Sequence, residues 1–87
     1  MNVTRLEAIE RIPLAIDYRR LYQAQAILNI ADRDTTPVHI EFSLELSPFG
    51  GNEVSVRFLE SAAYPLVPAM KLLKEHIKAI DKAGSLP

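Results

Sequence analysis

Eighty-seven residues make one small domain with a thin core, which buries only about 60–65% of the surface the unfolded chain exposes. Hydrophobic residues are 48% and charged residues 24%, ordinary globular usage, so disorder is not expected. A net charge of −1 and a pI of about 6.1 argue against a domain that grips nucleic acid through its phosphates, and the lack of cysteine excludes disulfides, thiol nucleophiles and thiolate metal sites.

No apolar run approaches the roughly 18 residues of a membrane helix. The first twenty residues mix acids among apolar positions and lack a signal peptide's apolar stretch with a small-residue cleavage site. A cytoplasmic protein without membrane contact is expected.

In chain order, Thr4 and Glu7 have capping-box spacing and predict a short helix that Pro13 ends or kinks. Leu14, Tyr18, Leu21 and Leu28 recur near every 3.6 residues and predict a helix over 14–31. Ile16, Ile27 and Ile30 project to its other side, so that helix would need cover on two sides. The stretch "AILNIA" at 26–31 also reads as a short buried strand, since periodicity over six residues fits both. "DRDTTP" at 32–37 is a turn by composition.

Next, Val38, Ile40, Phe42, Leu44 and Leu46 alternate with His39, Glu41, Ser43 and Glu45, and Val54, Val56 and Phe58 alternate with Ser55 and Arg57. Period two on both sides of "SPFGGNE" predicts an antiparallel hairpin, its loop bent at Gly50 and Gly51. "SAAYPLVP" breaks the alternation, and a second helix begins between Pro65 and Pro68. Its stripe is Leu66, Met70, Leu73, Ile77 and Ile80, with Gly84 placed as a C-cap.

The expected fold is therefore α+β: a kinked N-terminal helix, an antiparallel β-hairpin and a C-terminal amphipathic helix. A lone hairpin is marginal in water, and neither strand interior has a proline or lysine to guard its edges. That predicts a homodimer that joins two hairpins into a four-stranded sheet. The alternative is a third strand supplied by "AILNIA".

For function, the expectation is a protein-binding or structural module that acts through self-association or a protein partner, without cofactor or metal. Candidate contact residues are Phe49 at the hairpin tip, Tyr18 and Tyr22 in the basic-aromatic stretch "DYRRLY", and Ile27 on the second apolar side of helix 14–31. The competing reading is an anion- or nucleic-acid-binding regulator. It would use Lys71, Lys74, Lys78 and Lys82, a ridge along the second helix, with Arg19 and Arg20. Glu75 and Asp81 partly neutralise that ridge. His39, Glu41, Glu45 and Arg57 form a polar row that reads as a wetted sheet face. Alternate strand positions lie about 6.5–7 Å apart, too far for neighbours to clamp one metal unaided. His76 falls at the border of the helix stripe and reads as a packing residue. No nucleophile elbow, phosphate-binding glycine loop or Ser–His–Asp set is present, so catalysis is not expected.

Overall fold

A computed structural model describes residues 2–29, 36–60 and 66–87. Four strands, β1 (Asn2–Ile12), β2 (Arg19–Asn29), β3 (Thr36–Leu46) and β4 (Asn52–Phe58), precede one helix, α1 (Leu66–Lys82). The strands form one antiparallel sheet in the order β1-β2-β3-β4. The α+β class stands, and so do the hairpin and the C-terminal helix.

The expected N-terminal helix does not: residues 2–12 and 19–29 are strands. The helical spacing in β1 is produced by bulges. Val3, Leu6 and Ile9 are three apart, which in a regular strand would alternate faces. Register shifts between Val3 and Arg5 and between Glu7 and Glu10, with Ala8 at φ 49°, return all three to the core side. In β2, Tyr22, Ala24, Ala26 and Leu28 point into the core in strict alternation. Two of those four are alanines, a good helix former too small to announce a strand face. "AILNIA" as strand is closer to the outcome: residues 26–29 end β2, while 30 and 31 lie outside the described residues. So do most of the 32–37 turn and the 61–65 part of the break before α1.

The lone hairpin that called for a partner copy is thus completed within one chain, because β1 and β2 extend the sheet beyond β3. The core lies on one face. Cross-strand partners Tyr22 and Phe42 stack with ring centroids 5.0 Å apart, beside Leu28, Ile40, Leu44, Val54 and Val56. The helix covers this face with Ala69, Leu73 and Ile77. Its buried stripe is turned from the expected one: Leu66 is exposed and Ala69 is fully buried.

Gly84, at φ 73°, ends α1 as expected: Ser85 N–H donates to Ile80 C=O at 2.9 Å and Gly84 N–H to Asp81 C=O at 3.0 Å. A polar clasp ties this end of the helix to the sheet. Asp81 accepts from Arg20 Nη2 at 2.8 Å and from Asn52 Nδ2 at 3.1 Å, and Tyr22 Oη donates to the Pro87 carbonyl at 2.9 Å. The helix stands on one face only, so the other face of the sheet is left open.

Candidate functional site

Register assigns the residues of the open face to rows, because directly opposed residues share a face. Gln23, Glu41 and Arg57 form one row, and Arg57 donates to Glu41 at 3.1 Å. Below it, Gln25 and His39 are opposed. His39 Nε2 meets the Gln25 amide at 2.9 Å and Nδ1 meets the Glu60 carboxylate at 2.9 Å. Both ring nitrogens are therefore engaged and neither is presented to a substrate. Above it, Leu21, Ser43 and Ser55 stand in line, followed by Arg19, Glu45 and Glu53. Arg19, Leu21, Glu41, Ser43, Ser55 and Arg57 surround a shallow hollow of about 270 Å³. Ser43 is only 5% exposed there, and its hydroxyl has no partner among the described residues.

The polar row of the sequence is thus assembled as one surface, with Arg57 against Glu41 and Glu45 two rows away. Arginines and glutamates are interspersed across it, which favours cross-strand pairing and focuses no single sign of charge. Glu45 and Glu53 are opposed like charges, which destabilises that row. No group of three or more metal-ligating side chains exists among the described residues. His76 is on α1, across the sheet from the face that carries His39.

The second concentration of exposed chemistry is at one end of the sheet, where the β1–β2 and β3–β4 loops meet. Leu46 N–H donates to Tyr18 C=O at 2.8 Å and joins the two. From the first loop Leu14, Ile16 and Tyr18 are exposed, and from the second side Leu46 and Phe49. Phe49 is 97% exposed. Ser47 Oγ accepts from Phe49 N–H at 3.2 Å, and Gly50 and Gly51 at φ 93° and 74° supply the left-handed turn that holds the ring away from the core.

Two of the four candidate contact residues, Tyr18 and Phe49, come together at this end. Tyr22 is wholly buried in the core. Ile27 is buried on the open-face side, opposite Arg5 and Pro37 and toward the other end of β2. A helical reading of 14–31 conceals the exposure of Leu14 and Ile16. The readable signal is the six-residue stretch "PLAIDY" at 13–18, too short for a helix between two strands, yet with large apolar side chains at three positions.

The lysine ridge is partly assembled. Lys71, Lys74 and Lys78 line a shallow groove of about 360 Å³ on the outer face of α1 with Val67, Met70 and Glu75. Lys82 lies in the last turn, beyond the groove. Arg20 turns away from it into the clasp, and Asp81 holds its guanidinium protonated above the ordinary arginine range. Arg19 lies on the opposite face of the sheet.

These features define a small α+β protein: one helix over a four-stranded sheet, a mixed-charge open face and an apolar loop end. The chain belongs to the BB-0187 family, whose model matches residues 1–82 and so runs through all five elements. No curated protein and no solved structure matches it. No helix among the described residues is long and apolar enough to cross a membrane.

Proposed function

We propose that the protein is a small protein-binding module whose contact surface is the loop end. The observation that carries this reading is the convergence of Leu14, Ile16, Tyr18, Leu46 and Phe49, from two loops, on one exposed apolar surface. Small chains rarely leave such side chains in water together without a use, and aromatic anchors on a rigid frame dominate the energetics of protein contacts. The absence of cysteine is consistent with a cytoplasmic setting, which is part of the proposal.

The test is capture by immobilised protein from extracts of the source cell. A partner should be retained by the wild type and by a Lys74→Ala/Lys78→Ala variant, and lost from Tyr18→Ser/Phe49→Ser. Retention by the loop variant counts against the reading.

A second reading, anion binding along α1, is favoured by the groove that Lys71, Lys74 and Lys78 share with Val67 and Met70. It requires retention on heparin at low salt that weakens when Lys74 and Lys78 are replaced by alanine. Elution with the void volume would eliminate it.

A further inference from the structure

The two outer edges of the sheet differ. The β1 edge is interrupted by two register shifts and a left-handed Ala8, and β1 carries Arg5, Glu7, Glu10 and Arg11. Bulges and charges of this kind discourage edge pairing. The β4 edge has no register shift, no proline and no lysine, and no described strand pairs with it.

The phase of the β3–β4 ladder shows which groups β4 presents. Leu59 N–H donates to His39 C=O at 3.0 Å, and at the other end Ser47 N–H donates to Gly51 C=O at 3.0 Å. Hydrogen-bonded pairs alternate along an antiparallel ladder, so Glu53, Ser55 and Arg57 bond inward to β3. Val54 and Val56 therefore turn their N–H and C=O groups to the open edge.

We infer that β4 pairs antiparallel with β4 of a second copy, about a two-fold axis through Ser55, and makes one continuous sheet of twice the width. Three things select this register. First, it overlaps the whole strand, Asn52–Phe58, with its own reverse. Second, it sets Val54 opposite the partner's Val56, so that the edge-facing groups of each exchange main-chain bonds in reciprocal pairs. Third, it sets Glu53 opposite the partner's Arg57, and Arg57 opposite the partner's Glu53. Sliding by two residues either way puts Glu53 against Ser55 or Leu59 and loses both ion pairs.

The pairing also relieves the like-charge contact between Glu45 and Glu53, because the partner's Arg57 flanks Glu53 from the other side. Arg57 in turn lies between its own Glu41 and the partner's Glu53, a mixed-sign row across the seam. On the other face Val54 and Val56 meet their counterparts, so the apolar layer continues under two helices on the same side. The loop ends stay free and point in opposite directions, so this inference does not depend on the loop-end reading.

Charge exchange at the seam tests it. Wild type should show a mass near twice 9.7 kDa by light scattering at high micromolar concentration. Glu53→Arg opposes two positive charges across the seam and Arg57→Glu opposes two negative ones, so each alone should weaken the dimer at least about tenfold. An equimolar mixture of the two variants should restore it. One chain then carries positive charge at both seam positions and the other carries negative charge at both, so every cross-seam contact is attractive. In wild type the Val54 and Val56 amides should exchange with solvent slowly, and in either variant rapidly. A monomeric wild type, a dimer indifferent to both exchanges, or two variants folded by circular dichroism that fail to associate when mixed would each overturn the proposal. None of these outcomes would disturb capture of a partner through Tyr18 and Phe49.

Discussion

Two ion pairs of similar length differ in what surrounds them. Arg20 and Asp81 meet at 2.8 Å where both side chains are less than a third exposed, under the end of α1. Arg57 and Glu41 meet at 3.1 Å with the arginine 69% exposed. Removing one member of the first leaves the other withdrawn from water without its partner, and Asp81 also holds Asn52. Asp81→Ala should therefore cost about 1–3 kcal/mol, read as a lower urea midpoint at unchanged slope. Glu41→Ala in monomeric protein should stay within about 0.5 kcal/mol, because water replaces what is lost. The raised pKa of Arg20 means its stabilising charge is fully present below the ordinary guanidinium range and is lost only in stronger alkali. The arginine side of the clasp is thus insensitive to pH across any range in which the protein is handled.

At the scale of elements, two positions sit in the left-handed region with opposite chemistry. Gly84, at φ 73°, has the residue that this C-cap favours, whereas Ala8, at φ 49°, holds the β1 bulge against its own Cβ. Gly84→Ala should destabilise by about 1 kcal/mol, and Ala8→Gly should be neutral or stabilise by up to about 1 kcal/mol, the flexibility of an unfolded glycine offsetting part of the relief. Paired thermal melts read both signs. The same bulge explains why the start of the chain reads as helix. Val3, Leu6 and Ile9 carry helical spacing because extra residues are inserted into a strand, and no period-based reading contains that insertion. The β3–β4 hairpin is legible because every inward position from Val38 to Leu46 is large and apolar. β2 is not, because Ala24 and Ala26 leave its inner face faint. Of the candidate surfaces, the Glu41–Arg57 contact follows from strand register alone. The loop end needs the tertiary arrangement, since nothing in sequence places residues 14–18 beside 46–49.

The molecule as a whole has two ways to meet a copy of itself, and its shape separates them. Its longest extent is 40 Å against 24 and 22 Å, and its radius of gyration is 13.0 Å. Pairing along β4 sets the two centres roughly one sheet width apart, so scattering from that dimer should give a radius of about 16 Å at strand spacings of about 4.8 Å. Contact through the apolar loop ends sets the copies end to end along the 40 Å axis and should give about 24 Å. The two also respond to different residues. Phe49→Ser should leave a β4-paired particle unchanged in mass and radius, because Phe49 lies beyond the seam on a free loop, and should dissolve an end-to-end one. If a dimer of about 16 Å persists in Phe49→Ser and disappears in Arg57→Glu, the seam runs along β4 and both loop ends remain available, at opposite ends of one sheet, to bind partners.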